Sequence, residues 1–166
     1  MAEITQTQDT RRVFVDTLIE LAEKDEAIAL IVPDVGFNYL EAFQSKFPTR
    51  FYNLGVTEQS CIIIAAAMAL SGLKPYVYSM INFVAFRPFE MVRNAVALHK
   101  ANVKLLGVKG SEKYKFLGFS HNMVVQDEDK MHLEPYVPCY LPSSPSAVRE
   151  AILETYQSQQ AAYIRL

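Results

Sequence analysis

The sequence has no tryptophan, only two cysteines and no apolar run long enough to span a bilayer. Cys61 and Cys139 are far apart and match neither a metal-ligand spacing nor a disulfide framework, which favours a reducing, cytoplasmic location. The most apolar window, residues 61–70, is about half the length of a bilayer-spanning helix and predicts a core helix instead. No signal peptide is expected before the first amphipathic segment, and no membrane is expected as a partner.

An excess of charge of one sign is also missing. The 16 basic and 18 acidic residues give a net charge of -2 at pH 7 and are dispersed along the chain. This distribution offers no electrostatic footprint for nucleic acid or an anionic membrane surface. With 51% hydrophobic residues among 166, the chain is expected to form one domain, residues 1–166, around one compact core.

Apolar residues alternate between helical and strand-like spacing along the chain. A helical pattern after Thr10, the predicted cap, gives way to a continuous buried strand in "AIALIVPD". Further strands are predicted in "FYNLG", "KPYVYSM", "VKLLGV", "YVPCYL" and "AAYIRL", with helices between them. The alternation predicts an α/β domain with a parallel sheet and helices on both faces. Ligands bind at the carboxyl ends of such strands, so we expect the site in the loops after Asp34, Gly55, Met80 and Val108.

One acid stands at the start of an almost uncharged helix in "NLGVTEQSCIIIAAAMALSG". Glu58 follows Thr57, and the next charged residue downstream is Lys74. A carboxylate in the first turn is favoured by free amides and the helix dipole, which is the structural interpretation. The functional interpretation is that Glu58, at the binding edge of the sheet, shares a proton with a heterocyclic ring nitrogen.

Aromatic residues and a histidine lie in two other predicted loops. Phe83, Phe86 and Phe89 recur at a spacing typical of a core helix. Pro88, however, favours the first turn of the predicted helix "RPFEMVRNAVALHK", and the residue before a proline is biased away from helix. The aromatic run would then lie partly in a loop and offer a ring face to the crevice. His121 lies in "LGFSHNMVVQDED", within a long loop, where it is either a solvated side chain or part of a functional loop.

These segments together resemble the pyrimidine-binding domain of transketolase-type thiamine diphosphate enzymes. The resemblance rests on "NLGVTEQ", the small-residue helix leading to "ALSGLKPYVYSMINFVAF", "GFSH" followed by acidic residues, and "AAYIRL". It implies a thiamine diphosphate-binding fold in which Glu58 contacts N1′ of the aminopyrimidine. Proton sharing there favours the tautomer whose 4′ nitrogen deprotonates thiazolium C2, while the cofactor carries out the carbanion chemistry.

The resemblance also implies the remaining cofactor contacts. Phe83 and Phe86 match aromatic positions on or near the pyrimidine ring, and Phe83 is the better candidate for stacking. Met80 replaces an aromatic residue that is usual in the family. Asp34 matches an acid near the cofactor at the subunit contact.

On the substrate side, the resemblance implies that His121 assists with substrate hydroxyls and that Arg11 helps to bind an acceptor's phosphate. Lys109 lies near the position of another usual substrate histidine, and Leu117 replaces a common aspartate. These two departures indicate an altered acceptor pocket. The resemblance implies a small sugar substrate and transfer of a two-carbon ketol unit from a ketose to an aldehyde.

The family's diphosphate-binding motifs are absent: there is no "GDG", and no two glycines are separated by a single residue. The resemblance therefore implies that a partner subunit holds the diphosphate and its Mg²⁺, while this chain holds no metal. By the same resemblance "AAYIRL" corresponds to the last strand of this domain and the family's C-terminal domain does not follow, so we expect a split subunit in a heterotetramer with the diphosphate-binding partner, or an incomplete chain. Three alternatives remain: a beta-type 2-oxoacid dehydrogenase subunit, a deoxyxylulose-phosphate-synthase-like enzyme, and a non-catalytic partner-binding module.

Overall fold

The computed structural model describes residues 8–108, 116–122 and 125–166. Its centre is a six-stranded sheet in the order β2-β1-β3-β4-β6-β5, in which all neighbours run parallel. The strands are β1 Ile28–Val32, β2 Phe51–Asn53, β3 Lys74–Met80, β4 Lys104–Val108, β5 Cys139–Tyr140 and β6 Ala162–Arg165. The predicted fold, one domain with a parallel sheet between helices, is confirmed.

Helices cover both faces of the sheet. They are α1 Thr10–Ala22, α2 Glu41–Lys46, α3 Glu58–Leu70, α4 Phe89–Met91, α5 Glu128–Leu133 and α6 Pro145–Gln157. Apolar side chains of α1, α2 and α6 form one core with one face of the sheet, and those of α3 and α5 form a second core on the other face. β1 and β4 are buried along their whole length, as expected for central strands covered on both sides. No helix in the described ranges has the length and apolarity needed to cross a membrane.

The first helix is capped one residue earlier than the sequence predicts. Asp9 has extended backbone angles, and its carboxylate accepts a hydrogen bond from the Arg11 amide at 2.9 Å. Thr10, the predicted cap, is instead the first helical residue. The prediction was wrong because both residue types favour this position and only the backbone angles distinguish them. Ser144 caps α6 in the same way, with Pro145 in the first turn.

The segment after β3 is helical earlier than predicted. A π-helical turn, Asn82–Phe86, precedes α4, and a second, Val92–Ala97, follows it. The first of these turns lies where the sequence predicts a loop between strand and helix, so that prediction was wrong. Arg87, the first residue of the predicted helix "RPFEMVRNAVALHK", has helical backbone angles, φ -59° and ψ -46°. Burial of apolar side chains within the first π turn outweighs the local preference against helix before proline. Single π turns inside helices occur often at functional sites.

β4 packs closely against β6 near the centre of the sheet. A Cβ atom added at Gly107 would lie 2.4 Å from the hydroxyl oxygen of Tyr163 on β6, so only glycine fits. The same hydroxyl donates a hydrogen bond to the buried Asp129 at 2.5 Å.

At the start of β4, Lys104 is buried and its ammonium donates to Asn102 and to the Ser158 and Gln160 carbonyls. Burial lowers the pKa of Lys104 to about 8.

Candidate functional site

The strand order changes direction at β1, which places a crevice at one edge of the sheet. The chain passes from β1 to β2 on one side, and then to β3 on the other. Parallel α/β sheets bind ligands at the carboxyl ends of the strands beside such a change of direction. The loops after β1, β2 and β3 lead to Asp34, Glu58 and Phe83, three of the predicted site residues.

Glu58 is the first residue of α3, and only 5% of its side chain is exposed. Its Oε1 accepts a short hydrogen bond from Nη1 of Arg87, which also forms an ion pair with it. The Cζ atom of Arg87 lies 4.2 Å from the centroid of the Phe83 ring, over its face. The predicted acid, Glu58, is therefore buried. Arg87, which the sequence patterns did not indicate, contacts both this acid and the predicted aromatic face of Phe83.

His121 completes this group of side chains. The rings of Phe83 and His121 are 4.9 Å apart and nearly perpendicular, with an angle of 87° between their planes. Ser120 Oγ lies 3.0 Å from Nδ1 of His121, within the 3₁₀ turn Phe119–His121. The structure thus joins residues from three separate parts of the chain into what we call the Glu58 cluster: Glu58, Phe83, Arg87 and His121.

Asn82 connects the histidine loop to the helical segment after β3. Its Nδ2 donates to the Asn122 carbonyl at 3.2 Å, directly after His121. Its Oδ1 is buried, and among the described residues this oxygen has no hydrogen-bond partner. A buried acceptor of this kind is suited to a donor group of a ligand. The sequence signal for Asn82 and Arg87 is their polarity within the otherwise apolar run from Ile81 to Phe89.

The structure places Phe86 outside the Glu58 cluster. Its ring centroid lies 5.3 Å from that of His132 on α5, and Phe89 lies 3.8 Å from the same histidine. Phe86 is partly buried against the core of that face of the sheet. Burial lowers the pKa of His132 below its usual value. Phe86 and Phe89 therefore hold α5 against the helical segment, and Phe83 is the ring that faces Glu58.

Three other predicted residues share a neighbouring pocket of about 240 Å³. Arg11, Asp34 and Met80 line it, together with Tyr39 and Tyr78 among others. Met80 is the last residue of β3, three positions before Phe83. Residues 80–83 therefore connect the two: Met80 lines the pocket, and Phe83 belongs to the Glu58 cluster.

Arg11 is held firmly at the wall of this pocket. Its Nε and Nη2 donate to the two carboxylate oxygens of Asp9 at 3.0 and 2.7 Å, and its Cζ lies 4.0 Å over the Tyr39 ring. The hydrogen bonds from Arg11 lower the pKa of Asp9 to about 2. Asp34 is fixed by Asn53, whose side chain accepts from the Asp34 amide at 3.0 Å and donates to its carboxylate at 3.2 Å.

Lys109, the remaining predicted residue, lies outside the described residues. Within residues 8–108, 116–122 and 125–166, no three histidine, cysteine, aspartate or glutamate side chains are grouped so that they could hold a metal ion. What the arrangement offers is a buried carboxylate, an aromatic ring, a histidine and an unpartnered acceptor at one crevice. These groups suit a planar heterocycle with exchangeable protons.

Comparison with known sequences gives a consistent result. The family model described as "Transketolase, pyrimidine binding domain" matches residues 6–166. The chain is 31% identical over 157 residues to a subunit of the apulose-4-phosphate transketolase of Phocaeicola vulgatus, covering 94% of this chain and 50% of that protein. It is also 31% identical over 157 residues to a putative transketolase C-terminal section of Methanocaldococcus jannaschii, covering 94% of this chain and 49% of that protein.

The fold has a similar solved counterpart. A structure described as a split gene transketolase, inactive beta4 tetramer, superposes with a TM-score of 0.80 at 26% sequence identity. The superposition covers 95% of this chain and 50% of that chain. The chain thus spans about half the length of the curated relatives it matches.

Proposed function

The chain belongs to the transketolase pyrimidine-binding domain family, and from this premise we propose that it is the pyrimidine-binding subunit of a split, thiamine diphosphate-dependent transketolase-like enzyme. The reaction is transfer of a two-carbon ketol unit from a ketose donor to an aldehyde acceptor, in carbohydrate metabolism and in the cytoplasm. The whole chain, residues 1–166, acts as one such domain. The names of its relatives, a transketolase subunit and a transketolase section, support this proposal.

The observation that carries the proposal is the buried Glu58 carboxylate, which is joined to the face of Phe83 through the guanidinium of Arg87. A cofactor aminopyrimidine needs a flat apolar surface for its ring and an acid at a ring nitrogen, and both are present. The buried, unpartnered Oδ1 of Asn82 adds an acceptor next to Phe83. The described residues therefore fit thiamine diphosphate, which supplies carbanion stabilisation when bound.

Each residue then has a defined task. Glu58 holds a proton at the ring nitrogen N1′, because its carboxyl group is buried at the edge of the sheet where the ring binds. Phe83 stacks on the ring, Met80 forms the softer wall near it, and Phe86 supports the segment from behind. His121, 4.9 Å from Phe83, faces the substrate hydroxyls.

The neighbouring pocket serves the substrate and the subunit contact. Arg11 is held in place by Asp9 and Tyr39 and is the group that helps to bind an acceptor's phosphate, because Asp9 accepts from only two of the five N–H donors of its guanidinium. Asp34 lies in the same pocket, close to the cofactor edge of the sheet. Lys109 is included as a substrate-binding residue on the basis of the sequence alone.

A second polypeptide completes the active site in this proposal. It holds the cofactor's diphosphate and Mg²⁺, because the sequence carries no "GDG" motif. We propose a heterotetramer of two such chains and two diphosphate-binding subunits. The similar structure of a split gene transketolase, an inactive beta4 tetramer, supports dependence on a partner.

Calorimetry with thiamine diphosphate and Mg²⁺ tests the proposal. We expect weak binding and no ketol transfer by the chain alone, and tight binding with ketol transfer after assembly with a diphosphate-binding subunit. Light scattering measures the mass of the assembly. Tight binding by the isolated chain would contradict the shared site, and an assembled complex without cofactor binding would favour the non-catalytic module.

A further inference from the structure

The guanidinium of Arg87 makes two contacts at once within the Glu58 cluster. It donates a hydrogen bond from Nη1 to Oε1 of Glu58, and its Cζ lies 4.2 Å over the centre of the Phe83 ring. Glu58 is almost fully buried, whereas 40% of the Arg87 side chain is exposed. The arginine therefore reaches from solvent into the cluster, and its head group lies between the acid and the aromatic face.

These are the same two contacts that the proposed function assigns to the aminopyrimidine. A guanidinium is planar and delocalised, it stacks on aromatic faces, and it donates to carboxylates from the edge of its plane. An aminopyrimidine is also planar and contains an N–C–N edge that meets a carboxylic acid. One face of Phe83 and one oxygen of Glu58 accommodate only one of the two groups at a time.

We propose that Arg87 occupies the pyrimidine subsite of the unloaded chain as an internal stand-in, and that the cofactor's ring displaces it. The inference rests on the proposed function. The stand-in gives the buried Glu58 a partner when no cofactor is bound, which avoids the cost of an unpaired buried carboxylate. Displacement returns the charged head group to water, and its present exposure of 40% shows that water is already within reach.

The position of Arg87 in the backbone suits this exchange. It lies between the π turn Asn82–Phe86 and Pro88, where the regular helical hydrogen bonding is interrupted. Its amide donates to the Asn82 carbonyl at 2.9 Å, so the backbone is anchored while the side chain extends past the cluster. A rotation of the side chain alone therefore clears the ring face.

The test measures affinity for thiamine diphosphate and Mg²⁺ by calorimetry, using the complex with the diphosphate-binding subunit. Arg87→Met removes the competing head group, and we expect the dissociation constant to fall about tenfold. The cofactor's ring then no longer has to break one ion pair and one cation–π contact in order to bind. Arg93→Met is the matched control, because Arg93 is an exposed arginine in the π turn Val92–Ala97 and donates to Asn94 at 3.3 Å. The affinity of this variant for thiamine diphosphate should equal that of the wild type. Unchanged or weaker binding by Arg87→Met would overturn the inference.

A second measurement needs no variant that might fold poorly. In the complex labelled with ¹⁵N-arginine, the Arg87 side-chain NMR signal should shift on saturation with thiamine diphosphate, whereas the Arg93 signal should stay in place. A fixed Arg87 signal would refute displacement. A wild-type complex that binds no thiamine diphosphate would remove the proposed function and this inference together, whereas normal wild-type binding with an unresponsive Arg87 removes the inference alone.

Discussion

Glu58→Gln should separate the chemical role of this side chain from its structural role. The change preserves volume but removes the ability to share a proton at N1′, which is worth roughly 10²- to 10⁴-fold in rate. That range equals roughly 3–5.5 kcal/mol of activation free energy. The structural cost is smaller: a helix-dipole contribution of roughly 0.3–1 kcal/mol, and an ion pair with the half-exposed Arg87 worth about 1 kcal/mol or less.

The assay compares exchange of the cofactor's C2 proton, followed by NMR, with the melting temperature and mass of the reconstituted complex. We expect C2 exchange to slow at least about a hundredfold, while the melting temperature falls by only a few degrees. Glu41→Gln is the matched control, because Glu41 is also the first residue of a helix and accepts a backbone hydrogen bond, from the Asn38 amide at 2.7 Å. Exchange within about tenfold of the wild type would refute proton sharing, and loss of the complex would make Glu58 a structural residue.

Three further variants test other parts of the molecule. His121→Ala should raise KM or change substrate preference in steady-state assays, with C2 exchange near its normal rate. In the wild type, the free energy of unfolding measured by urea denaturation should rise by about 1–2 kcal/mol between about pH 8 and 9.5, and Lys104→Met should abolish this rise. That rise follows because the folded-state pKa of about 8 lies below the usual 10.5, so the unfolded chain binds more protons. Gly107→Ala should lower thermal stability by about 1–3 kcal/mol, because its Cβ meets Tyr163.

The order of elements could be predicted from the sequence because each central strand and helix carries its own apolar period. β1 is a continuous apolar run, and α3 begins directly after Thr57 as predicted. The start of the helix after β3 could not be predicted in the same way. Local preference places it at Arg87 and Pro88, whereas burial of Phe83 and its neighbours, a property of the folded core, extends helical geometry back to Asn82.

The candidate site also combines residues that the sequence indicates with contacts that only the folded structure creates. The sequence indicates Glu58, Phe83 and His121 through their positions in loops and helix starts, and the structure brings them together. It does not indicate that Arg87 pairs with Glu58, because that contact joins residues 29 positions apart and depends on how two helical segments pack. The closeness of Arg11 and Asp34 is likewise a product of the tertiary fold.

The two ends of the sheet affect how this chain meets its neighbours. β2 pairs through only three residues and β5 through only two. Short edge strands offer few free backbone groups to an incoming strand, which is a common natural defence against aggregation by strand addition. Copies of the chain are therefore poorly equipped to extend one another's sheet into fibres. Such edges favour association through side-chain surfaces, where shape and charge select the neighbour.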